Sequence, residues 1–488
     1  MRQIGWYRGV AMSSIPSLKE LVYSLRDFFY FKKKKNVCVD KGKGEIAMRS
    51  ITGEKKQEWT IGRVLAEKPD GAIEIRGSIH NVRDMGDFAF VILRRYDGTV
   101  QCVLDEEKTG IHRADLPEGA AVAVLGTVAW DERAPHGFEL RVQEMKLLSR
   151  PAQVPPVPVH KAKLNLTVES DLNLRPLTLR NLRKRAVFKL QEGIVRGFRE
   201  FLQSQDFAEI HTPKIVAAGA EGGANIFKLD YFGHKAFLAQ SPQFYKQTMV
   251  GVFDRVFEIG PVFRAEKHAT TRHLNEYTSM DFEMGYIDSF EDVMQMETAM
   301  LKYTMELLKK DYAPQIALLG VQIPEITSIP AVPFTQAKEM VAEKYNRRIR
   351  DPYDLEPEEE QLISRLFAEE YGSDFVFVTH YPSKKRPFYA MDDPDDPKKT
   401  LSFDLLFRGI EITTGGQRIH DYDAQVAKME RLGMDPADFE SYLMAHRNGL
   451  PPHGGLGIGL ERLTMRLIGE NNIREASLFP RDITRLLP

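Results

Sequence analysis

Between Val262 and Met284 the chain reads VFRAEKHATTRHLNEYTSMDFEM, which gathers Arg264, Lys267, Arg272 and two histidines between acidic ends. A guanidinium fixed at a strand end can bind an oxyanion through two parallel donors. Arg272 and His273, on the loop that follows, can close over a polyphosphate. A second group lies in FDLLFRGIEITTGGQRIHDYD, from Phe403 to Asp423. Glu411 falls there in an expected strand between Ile410 and Ile412, and such a carboxylate must face solvent or a ligand, because burying it unpaired is costly. Thr414, two pleats on, adds a hard oxygen, so the two can hold Mg²⁺; Arg418 can face the same cleft. The third group is GIGLERLTMRL, Gly457 to Leu467. Its glycines let the backbone approach a ligand closely, and Arg462, in the first turn of the helix that starts there, can pair with a terminal phosphate. Singly, each also reads as a solvated loop or as packing. Together they point to a nucleoside-triphosphate site, and G-x-x-x-x-G-K-[ST] is absent from the chain, so it is not a P-loop.

The elements that must hold these residues follow from periodicity. Val256–Phe263 and Tyr277–Gly285 read as strands on either side of the cationic loop. Apolar residues recur at helical spacing from Arg180 to Phe207. AEIHTPKIV reads as a strand with Pro213 inside it, hence an edge or interface strand, since proline lacks a ladder donor. From Trp59 to Leu148 apolar and polar residues alternate in about five short runs broken by turns such as Asp97-Gly98 and His136-Gly137, the pattern of a small closed barrel of the oligonucleotide-binding type. RPAQVPPVPVH (Arg150–His160) then reads as a stiff linker. Acidic stretches at Asp351–Glu360 and Asp392–Lys399 read as surface loops of an inserted segment.

Composition limits the choices. At 488 residues the chain needs more than one domain. With 67 basic and 69 acidic residues, any nucleic-acid contact must come from local patches. Cys38 and Cys102 are too far apart in sequence for a metal-binding pair, and a reducing compartment is expected. No apolar run reaches the roughly 18 residues of a membrane span, so no membrane partner is expected. LVYSLRDFFYFKKKKN (Leu21–Asn36) places its charges after its apolar part, opposite to a signal peptide. Residues 1–58 are expected to form a mobile extension; an arm touching RNA or membrane, or a translation start at Met48, are the alternatives.

FAEIHTPKI, FRAE…TTRHLNEYTSMDFEM and GIGLERL resemble, in order, motifs 1, 2 and 3 of the class II aminoacyl-tRNA synthetases. With the barrel ahead of them, the chain from Trp59 to Pro488 is similar to the aspartate, asparagine and lysine subgroup. The fold this implies is α+β: an OB-fold anticodon-binding barrel (59–148), a hinge (149–179), and a catalytic domain (180–488) with an antiparallel sheet flanked by helices and an insertion at about 315–400. Motif 1 implies a homodimer.

EGGANIF (Glu221–Phe227) and AQSPQFYKQ (Ala239–Gln247) are similar to aspartyl-tRNA synthetases of the archaeal and eukaryotic type. That resemblance implies ATP-dependent attachment of aspartate to tRNA(Asp) through aspartyl-adenylate, in the cytoplasm. It gives Glu221, Gln243, Lys246, Arg264, Thr414 and Arg418 to the amino acid. It gives Arg264, Glu266, Arg272, His273, Leu274, Glu411, Gly459 and Arg462 to ATP, with Phe282 stacking on adenine. Arg264 and Arg462 would be catalytic, and Glu411 with Thr414 would carry Mg²⁺. Lys246 argues against the rival asparaginyl reading, because the corresponding position in asparagine enzymes is usually apolar, and an amide would leave a buried cation unmatched. Arg83, Phe90 and Gln101 would meet the anticodon. Archaeal relatives restricted to tRNA(Asp) tend to have tryptophan and lysine where this chain has His80 and Pro135. Relatives that charge both tRNAs tend to have histidine and proline there, so the reading is that tRNA(Asn) is charged too, with charging of tRNA(Asp) only as the alternative; mis-charged Asp-tRNA(Asn) would need a tRNA-dependent amidotransferase as partner.

Overall fold

The computed structural model describes residues 53, 57–217, 219, 225–267 and 270–487. The chain divides into two units, Met1–Glu58 and Trp59–Pro488. The expected mobile extension lies almost wholly outside the described residues, as does Glu221. The second unit holds a closed barrel and two sheets.

Strands β1 (Ala72–Asp84), β2 (Ala89–Arg94), β3 (Thr99–Leu104), β4 (Ala121–Trp130) and β5 (Phe138–Ser149) close the barrel in the order β1-β2-β3-β5-β4. Alternation makes the barrel: Ile73, Ile75, Val91, Leu93, Val100, Cys102, Val122, Val124 and Leu140 share one buried core, and their polar neighbours face out. The β4–β5 connection turns through His136 at φ 64° and Gly137 at φ 78°. The register of β1 on β2 slips between Ile79 and Asn81, so His80 occupies a β-bulge.

The remaining strands are β6 (Ala208–Glu209), β7 (Ile215–Val216), β8 (Lys228–Tyr231), β9 (His234–Leu238), β10 (Arg255–Phe263), β11 (Glu276–Gly285), β12 (Ala331–Pro333), β13 (Phe375–Thr379), β14 (Ser402–Phe407), β15 (Ile410–Gln417) and β16 (His453–Gly459). Three of them form a small sheet, β7-β9-β8; the others form an eight-stranded sheet in the order β12-β13-β14-β15-β16-β11-β10-β6. That sheet is antiparallel except at its two edges, where β12 runs parallel to β13 and β6 parallel to β10.

Helices α1 (Leu182–Ser204), α2 (Gln243–Phe253), α3 (Phe290–Asp311), α4 (Pro357–Tyr371) and α5 (Leu460–Leu467) flank it. The Asn181 side chain caps α1 by accepting from the Arg183 and Lys184 amides. Leu190, Ile194, Phe198 and Leu202, four residues apart, make its buried stripe. A Cβ at Gly193 would meet Leu308 of α3 at 2.5 Å, and one at Gly197 would meet Thr304 at 2.6 Å. The two glycines thus let these helices approach closely behind the sheet. No helix among the described residues is long and apolar enough to cross a membrane.

One expectation is corrected at the sheet edge. AEIHTPKIV is not one strand: β6 ends at Glu209, β7 begins at Ile215 in the other sheet, and Pro213 lies between them. Proline's missing donor suits that break.

Candidate active site

A cleft of ≈ 1240 Å³ opens on the face of the eight-stranded sheet away from α1 and α3. This is larger than the upper end of about 1,000 Å³ common for small-ligand sites, and has room for two substrates. Strand parity decides which residues of β11 reach it. Tyr277, Ser279 and Asp281 line the cleft. Met280, Phe282 and Met284, of opposite parity, are in the core behind it.

Of the residues expected to bind aspartate, Gln243, Lys246, Arg264, Thr414 and Arg418 all line this cleft. Of those expected to bind ATP, Glu266, Arg272, His273, Leu274, Glu411, Gly459 and Arg462 line it as well. Phe282 does not. It is 0% exposed and packs edge-to-face on Phe207, which corrects the expectation that it stacks on a ligand. The aromatic ring that β11 does present is Tyr277, with the Arg264 guanidinium 5.9 Å from its centroid. Counting in twos from Asp281 would have found it.

At one end of the cleft four charges interlock. Lys246, on α2 and 2% exposed, reaches Asp281 Oδ1 at 3.0 Å, Glu283 Oε2 at 3.3 Å and the Leu456 carbonyl at 2.8 Å. Arg418 donates from Nε to Glu283 Oε1 at 2.9 Å and from Nη2 to the Gly455 carbonyl at 2.8 Å. Burial works to raise the Glu283 carboxyl, but Arg418 and then Lys246 outweigh it and hold it below its ordinary value. The carboxylates fit because β16 lacks side chains opposite them. Asp281 pairs with Gly457 and Glu283 with Gly455, and a Cβ at Gly455 would sit 2.2 Å from Glu283 Oε2. Behind them Gln243 donates to Gln247 at 3.0 Å, and Gln247 to His453 Nε2 at 3.0 Å. Burial lowers that imidazole to about 4, so it is neutral, accepts at Nε2 and donates its single N–H, on Nδ1, to the Pro451 carbonyl 2.8 Å away.

At the other end the first turn of α5 carries Arg462, as the sequence leads one to expect. Its Nη1 donates to the Glu411 carbonyl at 3.0 Å and to Glu411 Oε1 at 3.2 Å. Thr414 Oγ1 is 3.3 Å from the same Oε1. Three residues apart on a regular strand, Glu411 and Thr414 would face opposite ways. A register shift against β14 at Leu405/Leu406 brings them to one side. Burial would raise the Glu411 carboxyl; Arg462, Arg386, Arg264 and Arg272 together outweigh it, so Glu411 stays ionised.

Two carboxyls here were not anticipated. Asp404, opposite Thr414 in the strand pairing, is pushed up to about 6 by burial and by Glu411, with Arg386 opposing. Glu360 on α4 is pushed up to about 7, by burial first and then by Glu411, against the pull of Arg272. Asp404 has the parity of a cleft residue in FDLLF. Glu360 carries no sequence signal, because α4 is distant in the chain.

The barrel residues separate. Arg83 is opposite Phe90 in the strand pairing, and Gln101 is two residues further along the same outer face, donating to Glu139 at 3.2 Å. His80, at the bulge, is 5% exposed with its ring 6.4 Å from that of His160. Burial first, then Arg94, His160 and Arg185, lower it to about 4. It is therefore not part of an exposed base-reading face. Pro135 opens the single turn before β5.

Known proteins agree with this architecture. Residues 167–483 match the family described as tRNA synthetases class II (D, K and N), and residues 73–148 match the OB-fold nucleic acid binding domain. The chain belongs to the class II aminoacyl-tRNA synthetases of this D, K and N group. A relative named aspartate–tRNA(Asp/Asn) ligase, from Deinococcus radiodurans, is 46% identical over 435 residues, 88% of this chain and 98% of that protein. An aspartate–tRNA(Asp) ligase from Pyrococcus abyssi is 38% identical over 423 residues, 85% of this chain and 96% of its own. Among solved structures, asparaginyl-tRNA synthetase from Pyrococcus horikoshii with asparaginyl-adenylate superposes with a TM-score of 0.81 at 29% identity, covering 88% of this chain and 100% of that one.

Proposed function

We infer that the protein is an aspartate–tRNA ligase: it activates L-aspartate with ATP and transfers it to the 3′ end of tRNA. The observation that carries the choice of amino acid is the buried quartet Lys246, Asp281, Glu283 and Arg418. Three of the four line the cleft, two cations and one carboxylate, while Glu283 stands behind them. The cations suit the negative side chain of aspartate and Asp281 suits its ammonium. Both cations are already paired with Glu283, so what they offer a ligand is charged donors, from which a carboxylate accepts more strongly than an amide does.

The chemistry asked of the protein is placement and charge stabilisation. Arg264 holds the α-carboxylate against the α-phosphate of ATP. Arg462, Arg272 and His273 hold the outer phosphates. Glu266 and Leu274 border the adenine, which Tyr277 stacks. The Glu411 carboxylate and Thr414 hydroxyl are hard oxygen donors suited to Mg²⁺. Among the described residues no group of three acidic, histidine or cysteine side chains converges on one point, so an ion there would take its other ligands from phosphate and water. When bound, Mg²⁺ would neutralise charge on the phosphates. Glu221 remains assigned by resemblance to the substrate ammonium.

Residues 59–148 serve as the anticodon domain, 149–179 as hinge and 180–488 as catalytic domain with its insertion at about 315–400, in a cytoplasmic homodimer. The relation to the Deinococcus radiodurans protein supports charging of tRNA(Asn) beside tRNA(Asp), with an amidotransferase as downstream partner. Pyrophosphate exchange with aspartate and asparagine in parallel, then charging of each purified tRNA, tests the reading. Exchange driven by asparagine would overturn it; charging of tRNA(Asp) alone would remove only the wider tRNA range.

A further inference from the structure

We propose that Glu360 is a positioning residue for the triphosphate end of the cleft, acting through Arg272; the proposal rests on the reading of that end as the ATP site. Glu360 lies on α4, outside all three motifs and inside the segment read from sequence as an insertion. Its side chain is 9% exposed and does not line the cleft. One oxygen, Oε2, accepts from Arg272 Nη2 and also from the Glu411 backbone amide at 3.0 Å. Arg462 holds the Glu411 carbonyl from the other side at 3.0 Å. Glu360 therefore ties together the loop arginine, the strand carboxylate and, through Glu411, the α5 arginine.

The arrangement suits positioning rather than binding. Arg272 sits on the loop between β10 and β11, where its backbone is held by short contacts: its amide to Thr270 Oγ1 at 3.2 Å, and the neighbouring Thr271 carbonyl to the Ile473 amide at 2.9 Å. Its side chain crosses to α4 and is gripped there from behind. A guanidinium held at Nη2 by a carboxylate cannot swing away. A fork fixed before the ligand arrives loses less freedom on binding a phosphate. The insertion thus supplies the fixed wall against which a motif 2 arginine is aimed.

The test is a double-mutant cycle read in aspartate-dependent ATP–pyrophosphate exchange. Glu360→Ala should raise the KM for ATP on the order of tenfold and lower kcat, with the KM for aspartate held within about twofold. Glu360→Gln, which keeps an acceptor but not the charge, should fall between it and the wild type. In an Arg272→Ala background, Glu360→Ala should add almost nothing. An equal loss in both backgrounds, or a parallel rise in the aspartate KM, overturns the proposal. If Glu360→Ala does not fold, Glu360→Gln completes the same cycle with the same criteria. A wild-type ATP KM for Arg272→Ala alone would show instead that the ATP reading of this loop is wrong, and the proposal falls with it.

Discussion

The cleft and the outer face of the barrel position their side chains by opposite means. In the cleft four cations are gripped by carboxylates: Lys246 by Asp281 and Glu283, Arg418 by Glu283, Arg462 by Glu411, Arg272 by Glu360. On the barrel, Arg83 is exposed and Phe90 half-buried against Phe88. The difference follows from water. A dry site cannot leave charge unpaired, so its geometry is set in advance. A wet face can let the RNA complete it. Damage to the cleft should therefore cost chemistry and often fold, whereas damage to the barrel face should cost RNA affinity alone.

The largest expected effect is that of Arg264→Ala, which should lower aspartate-dependent pyrophosphate exchange on the order of a thousandfold, as loss of a transition-state charge partner does. Its thermal unfolding should stay near that of the wild type, and near-normal exchange would refute the role. Lys246→Met should lower the same exchange on the order of a hundredfold, and should also destabilise by roughly 3–5 kcal/mol because Asp281 and Glu283 lose a buried cation; denaturant melts measure this, and an unchanged midpoint would break the contrast between dry cleft and wet face. Phe90→Ala should leave exchange intact and cut tRNA charging, with a loss of about 1–3 kcal/mol for one stacked base. Equal losses in exchange and charging would mean that Phe90 merely packs the barrel.

The smallest effect concerns pH. Glu297 on α3 is 0% exposed, and its Oε1 accepts from Thr413 at 2.6 Å. Burial, only partly offset by that bond, pushes its carboxyl from 4.5 up to about 8. A raised folded-state value means the folded chain holds the proton more tightly. The stability this supplies is complete below pH 4.5 and is lost as pH rises through 8. Glu297→Gln should therefore melt close to the wild type at about pH 5 and higher than it at about pH 8.5, by a few °C. A constant difference across that range would contradict the burial argument.

The local elements of this chain were largely legible. The two strands flanking Arg264 run Arg255–Phe263 and Glu276–Gly285, within a residue of the expected limits, because their period-two pattern is strong. The helix read as Arg180–Phe207 is Leu182–Ser204, stopped at both ends by caps rather than by loss of apolar spacing. Misreadings arose where one residue changes parity or pairing. Phe282 lies among polar cleft residues in sequence but turns to the core. His80 sits at a bulge that no local pattern announces. Pro213 lies where the expected strand divides between two sheets.

The residue types that the chemistry requires can be read along the chain, in three separated segments. Arginine forks, a strand carboxylate and a glycine-lined helix start carry their meaning in their own covalent structure. Which of them meet is set by the fold. Glu360 reaches Arg272 across 88 residues of chain, Arg418 reaches Glu283 across 135, and Lys246 reaches Asp281 across 35. Such partners leave no periodic trace, because they are chosen by strand order, bulges and the depth of the cleft, where burial makes the pairing of charges a condition of folding.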